Sequence, residues 1–148
     1  MPGYWDDPVR TAEAIDAEGW MHSGDLATMD EYGFVRITGR IKDMIIRGGE
    51  NISPREIEEF LLNHPDIADA QVFGVADARL GEEVCAWVIA RPGATLAPQA
   101  VLAHCTGRIA HYKVPRHVRV VSAFAMTVTG KAQKFAMRRM MEAELAQD

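Results

Sequence analysis

The chain has 148 residues, of which 48% are hydrophobic and 25% charged, with a net charge of −5. Those proportions fit one compact globular domain, or one domain with an appendage. No apolar run approaches the ~20 residues that cross a bilayer, and the start, from Met1 to Asp7, has neither the basic region nor the apolar stretch of a signal peptide.

The charge is unevenly placed. Residues 1–35 hold eight acids (Asp6, Asp7, Glu13, Asp16, Glu18, Asp25, Asp30, Glu31) against Arg10 alone. Residues 108–139 hold eight bases (Arg108, Lys113, Arg116, Arg119, Lys131, Lys134, Arg138, Arg139) and no acid. Such a stretch reads as a solvated face balancing the acidic segment, or as a surface for phosphates of a nucleotide or CoA. Nucleic acid is disfavoured, because no binding motif and few aromatics accompany the bases. Cys85 and Cys105 share no metal-ligand spacing and sit in apolar patterns, so they read as buried free thiols in a reducing cytoplasm. The five histidines are scattered without metal spacing, so no metal site is expected.

Along the chain, Asp7-Pro8 leads into a short helix over residues 9–17. Gly19-Trp20-Met21-His22 begins a strand, and Asp30-Glu31-Tyr32-Gly33 turns into Phe34-Val35-Arg36-Ile37, giving a β-hairpin without a core of its own. From Ile41 the pattern becomes a self-sufficient α+β unit. Met44-Ile45-Ile46 is a short buried strand and Arg47-Gly48-Gly49-Glu50 a tight turn, with glycine supplying positive φ. Ser53-Pro54-Arg55-Glu56 reads as a capping box opening a helix. That helix puts Ile57, Phe60 and Leu61 inward, Glu58, Glu59 and Asn63 outward, and stops at His64-Pro65. Residues 72–75 and 84–90 are strands joined by a polar loop over 77–83. A helix over 98–109 faces Val101, Leu102 and Cys105 inward, Val118-Val120-Val121 forms another strand, and a final helix covers 132–146.

Three blocks carry candidate chemistry. Asp25, in Ser23-Gly24-Asp25-Leu26, is a carboxylate suited to the vicinal hydroxyls of a ribose, although a lone Ser-Gly-Asp is more often a turn. Arg40, in residues 39–51, offers a fork of donors for a phosphate or a ribose edge, or for an ordinary surface ion pair. Lys131, in Thr127-Val128-Thr129-Gly130-Lys131, is not part of a phosphate-binding P-loop: Ala125 stands where its first glycine belongs and Ala132 replaces its Ser/Thr. Lys113, in Lys113-Val114-Pro115, is given a structural or surface role, with contact to a CoA phosphate as the alternative.

Those blocks, in that order, resemble the adenylate-forming enzymes, which include acyl-CoA synthetases, luciferases and peptide-synthetase adenylation domains. The spelling is most similar to medium-chain, family-member-2 fatty-acyl-CoA synthetases. The resemblance runs over the whole chain and implies an α+β fold, the family's small C-terminal domain: a three-stranded sheet with flanking helices and a β-hairpin. It assigns residues 1–40 to the tail of a large adenylation domain, whose phosphate loop and acyl pocket are absent here, and residues 41–148 to the small domain. By the resemblance, Asp25 and Arg40 contact the nucleotide, Lys131 is the catalytic lysine and touches carboxylate and α-phosphate, and Lys42 is the hinge. Gly48, Gly49, Glu50 and Asn51 line the pantetheine channel for CoA.

The implied reaction joins a fatty acid to CoA, with ATP and Mg²⁺ consumed to AMP and pyrophosphate, and no cofactor is tightly bound. The family's usual proline is Ala125 here, which implies a looser loop around Lys131. The chain alone is expected not to form acyl-adenylate. Its expected partners are those small molecules, the missing large domain, and a second copy of itself through the N-terminal hairpin. Two alternatives remain: a stand-alone module that binds CoA or a protein, and part of an adenylation enzyme that loads a carrier protein.

Overall fold

In the computed structural model, which describes residues 1–147, Asp7 caps the first helix, α1 (Pro8–Ala14), by accepting a hydrogen bond from Arg10 N at 2.9 Å. The helix is shorter than its sequence pattern because Asp16 turns the chain back. Its carboxylate accepts from Trp20 N at 2.8 Å, its own N–H donates to Trp20 O at 3.0 Å, and Ile15 bridges Met21. Residues 19–22 therefore close a turn and do not begin a strand. An antiparallel hairpin follows, β1 (Asp25–Met29) and β2 (Val35–Arg40), with a register shift between Leu26 and Ala27. Asp30 Oδ1 shapes its turn by accepting from Tyr32 N at 3.0 Å and Phe34 N at 2.9 Å. No residue before Asp43 is buried.

The chain divides into two compact units, one ending at Lys42 and the other running from Asp43. The division falls two residues beyond the 40/41 boundary read from the sequence, within a single 3-10 turn over Ile41–Asp43.

The second unit opens with β3 (Ile45–Arg47) and β4 (Glu50–Ile52), then α2 (Pro54–Leu61), β5 (Ile67–Asp77), β6 (Gly81–Ala90), α3 (Pro98–Cys105), β7 (His117–Val120) and α4 (Lys134–Leu145). β6 is the centre of the sheet: β5 pairs with it antiparallel from Ile67↔Ala90 to Asp77↔Gly81, and β7 runs parallel beside Cys85–Val88. The β3–β4 hairpin joins through the one pair Arg47↔Gly81, so five strands form one sheet. A three-stranded sheet with flanking helices and a hairpin is what the sequence implied; the hairpin proves to be bonded into the sheet.

Alternation along the strands builds two cores. Val84, Ala86 and Val88 face one way, with Val72, Ile57, Leu61, Val101 and Cys105. Cys85 and Trp87 face the other way, with Phe73, Val75, Phe124 and Met137 of α4. Burying each large apolar side chain there contributes roughly 1.5–3 kcal/mol. On β5, three backbone N–H groups that do not serve the β6 ladder donate to carboxylates: Ala70 to Asp69 (2.7 Å), Val72 to Glu58 (2.8 Å) and Ala76 to Glu142 (3.1 Å).

Four local departures from the sequence pattern have identifiable causes. The reversal after β5 shrinks to three residues because Asp77 Oδ1 accepts from Arg79 N and Leu80 N at 2.9 and 2.8 Å. This puts Glu82 and Glu83 inside β6, not in a loop. α3 ends at Cys105, where the Thr106 hydroxyl donates to Leu102 O at 2.9 Å and Gly107 takes a φ of 74°. α4 starts at Lys134 because Ala132 is held in a bridge with Met126. The capping box does not close: Ser53 makes no capping bond, and Glu56 instead accepts from Lys113 Nζ at 2.5 Å.

Candidate functional site

Within the first unit, the β1–β2 register sets Asp25 directly opposite Arg40. Arg40 Nε donates to Asp25 Oδ1 at 3.1 Å, while Asp25 N is held by Ser23 Oγ at 3.2 Å. The pair is open to solvent, with side chains 57% and 27% exposed. One contact uses a fraction of the donors on a guanidinium and of the lone pairs on a carboxylate. The two residues can thus hold each other and still offer a donor and an acceptor to a polar ligand. Next along the chain, Lys42 is exposed and is the last residue of its unit.

In the second unit, Gly48 and Gly49 form the tip of the β3–β4 hairpin with φ of 57° and 89°, a combination side chains resist. Gly48 N donates to Leu80 O at 2.8 Å, and a Cβ on Gly48 would lie 3.3 Å from the Leu80 side chain. Glu50 and Asn51 follow on β4, both exposed. The tip is thus a bare stretch of backbone flanked by polar side chains.

Lys131 stands at the end of a closed loop. Thr127 N donates to Lys131 O at 2.8 Å, Gly130 N to Thr127 O at 3.0 Å, and Gln133 N to Ala125 O at 2.8 Å. The Thr127 hydroxyl oxygen accepts from Lys131 N at 3.0 Å and lies 2.9 Å from the Thr129 hydroxyl. The substitution at Ala125 leaves this loop closed, since it is the Ala125 carbonyl that is used and its side chain packs on the core.

The Lys131 ammonium is exposed and has no carboxylate partner among the described residues. The other bases of the stretch are mostly committed: Lys113 to Glu56, Arg119 to Glu144, Lys134 to Glu58, and Arg138 to Glu82 and Glu142. All those acids belong to the second unit. Four of the eight bases are therefore paired within their own unit.

Two residues that the sequence reading passed over prove central. Glu83 is only 2% exposed, and it receives Arg47 in a two-pronged ion pair at 2.6 and 3.1 Å. That pair raises the Arg47 pKa above its usual value. Glu82, its neighbour, accepts from Ile46 N at 2.8 Å and from Arg138 at 2.7 Å. The available signal was a pair of glutamates heading an otherwise apolar strand, since a buried carboxylate requires a partner.

The model of the AMP-binding enzyme C-terminal domain family matches residues 56–131, from the first turn of α2 to the exposed lysine. This chain belongs to that family. Among curated relatives, the mitochondrial medium-chain acyl-CoA ligase ACSF2 of Mus musculus is 48% identical over 145 residues, covering 98% of this chain and 24% of the relative. The putative acyl-CoA synthetase YngI of Bacillus subtilis is 52% identical over 138 residues, covering 93% and 25%. The chain thus spans about a quarter of the length of the curated relatives it matches. Among solved structures, ATP-bound MatB from Rhodopseudomonas palustris superposes with a TM-score of 0.89 at 36% identity, over 95% of this chain and 28% of that one. A Mycobacterium tuberculosis fatty acyl CoA synthetase gives 0.72 at 36% identity, over 96% and 28%. The small C-terminal domain of the adenylate-forming enzymes is the fold the family member adopts here. No helix among its described residues is long and apolar enough to cross a membrane.

Proposed function

We propose that this family member is the C-terminal portion of an AMP-forming acyl-CoA synthetase. In the first step a carboxylate oxygen attacks the α-phosphorus of ATP, with Mg²⁺ on the phosphates, and pyrophosphate leaves. In the second the CoA sulfur attacks the acyl carbon and AMP leaves. Residues 1–40 act as the tail of the large adenylation domain and residues 41–148 as the small domain. The phosphate loop and acyl pocket come from the rest of the large domain, outside these 148 residues. The acyl-CoA ligases among the relatives support this reading.

The observation that carries the proposal is the free ammonium of Lys131 on its closed loop, in a stretch whose other bases are mostly committed. An unneutralised point charge carried on a closed loop can oppose the negative charge that builds as carboxylate meets phosphate. Asp25 and Arg40 would take the ribose and phosphate edge. Gly48, Gly49, Glu50 and Asn51 would line the path of pantetheine. Lys42 would be the hinge between the two steps, which its place at the unit boundary supports. The first unit exposes Met29 (72%), Tyr32 (78%), Phe34 (74%) and Val35 (61%), which favours cover by the large domain, or by a second copy where that domain is absent. Buried Cys85 and Cys105 favour a reducing compartment, the cytoplasm.

The test is pyrophosphate release with ATP, Mg²⁺ and a panel of fatty acids. The chain alone should give none, and the chain joined to its large domain should turn over. An active joined enzyme in which Lys131→Ala changes nothing would remove the central claim.

A further inference from the structure

β3 carries the glycine tip, yet it is poorly attached to the sheet by backbone. β7 occupies β6 from Cys85 to Val88, so β3 is left with the single pair Arg47↔Gly81 and the Gly48 N to Leu80 O bond. Side chains supply the rest. Glu83 fixes Arg47 from a buried position. Glu82 does something different, because its two oxygens serve two separate elements. Oε2 accepts from Ile46 N of β3 at 2.8 Å, where a ladder would offer a backbone carbonyl, and Oε1 accepts from Arg138 of α4 at 2.7 Å. α4 begins three residues after Lys131. Arg138 is held in turn by Glu142 at 2.9 Å, and Glu142 takes the Ala76 N–H of β5.

A second, independent observation concerns the space that Glu82 occupies. Gly74 has an ordinary φ, so its backbone does not call for glycine. A Cβ built there would lie 2.8 Å from the Glu82 carboxylate, closer than such atoms approach. The missing side chain makes a slot on β5 in which that carboxylate lies. A methyl in the slot would collide with the end of a flexible side chain, so the fold would survive while Glu82 moved.

We propose that Glu82, seated over Gly74, is a positioning residue that ties the glycine tip to α4, and so joins the hairpin at the CoA path to the helix that follows the Lys131 loop. This rests on the function proposed above. Glu82 touches no substrate; it sets the pose of β3 so that the Gly48-Gly49 backbone meets pantetheine. Freed of Glu82, the tip should still form, because its own turn and the Arg47–Glu83 pair remain, but it should wander relative to α4.

Two measurements test this. On the 148-residue chain, amide exchange is read for wild type, Glu82→Gln, Glu82→Ala and Gly74→Ala. The proposal expects Ile46 and Gly48 amides to exchange at least about tenfold faster in Glu82→Ala and Gly74→Ala, the loss of one charge-assisted hydrogen bond, with the β5–β6 ladder unchanged. Glu82→Gln, which keeps an acceptor oxygen, should lie between. In the enzyme joined to its large domain, the same two variants should raise the KM for CoA about tenfold and leave adenylation within about twofold. Equal loss in both half-reactions, general loss of ladder protection, or no change at Ile46 would each overturn the proposal. A wild-type joined enzyme without acyl-CoA synthesis would instead sink the proposed function, and the tie between tip and helix would then be judged by exchange alone.

Discussion

Arg47 and Glu83 meet in a two-pronged ion pair, 2.6 Å at its shorter contact, with the glutamate almost wholly removed from water. Removing one partner of such a pair leaves the other charge buried and alone, which costs about 3–5 kcal/mol. Glu83→Ala should therefore destabilise the second unit by that order, read as a lower urea midpoint. Arg47→Met with Glu83→Leu together should recover much of the loss. If the single variants cost no more than an exposed pair does, the buried contact does not hold the hairpin.

The Asp25–Arg40 pair is the contrasting case. Exposed pairs of this kind contribute at most about 1 kcal/mol, so Arg40→Ala should barely change stability. In the enzyme joined to its large domain the same variant should raise the KM for ATP severalfold, as expected of a nucleotide contact. An unchanged KM for ATP would return Arg40 to the role of a surface ion pair.

Lys131→Ala should slow adenylation and spare thioester formation from purified acyl-adenylate. Loss of a charge aimed at a developing anion costs about 3 kcal/mol, a hundredfold or more in rate. Lys42→Pro should produce a split of another kind, with one half-reaction kept and the other lost because the hinge is frozen. If Lys131→Ala slows both steps equally, the lysine supports the structure and the two-orientation mechanism fails.

His104 gives a pH dependence. Burial holds its pKa below the usual 6.5, His64 and Arg108 add to that, and Arg108 already occupies its Nδ1 at 3.1 Å. His117 is lowered as well, again by burial. Because the folded pKa lies below the unfolded one, the unfolded chain binds the proton first on acidification. Stability is then full above pH 6.5 and falls as pH drops below it. Urea midpoints between pH 7.5 and 5 should decline, and His104→Phe should flatten part of that slope. A flat wild-type profile would show that the ring is not held neutral.

Cys85 is pushed up to about 12 and Cys105 to about 11, in both cases by burial. A thiol must ionise to react. Neither should be labelled by a thiol reagent at pH 8 in the folded chain, and both should react once it is unfolded in urea. Rapid labelling of the native chain would mean that one of the two cores opens readily.

The parts of the fold legible in the sequence were those decided by neighbours along the chain. The Gly48-Gly49 turn could be read because its backbone torsions demand glycine, and Asp7-Pro8 because the cap and the first helical residue are adjacent. Some misreadings came from local side-chain bonds such as those of Asp16 and Asp77, and others from contacts over long separations. Glu56 looks like half of a capping box until Lys113 arrives to claim it. Glu58, placed on the outer face by helical periodicity, is drawn inward by Lys134 and the Val72 amide. The same holds for the candidate site. Asp25, Arg40 and Lys131 stood out as chemistry, whereas Glu82 and Glu83 gain meaning only once β3 and α4 are brought to them.

The three carboxylates bonded to the β5 amides have an effect beyond the fold itself. An unpaired strand at a sheet's border is an open template, ready to recruit an extended segment from another molecule. Here Asp69, Glu58 and Glu142 already occupy the donors at Ala70, Val72 and Ala76. An incoming strand would have to evict three acceptors, two of them tethered by Lys134 and Arg138, before forming its first bonds. The second unit is thereby protected from fibre growth along this border.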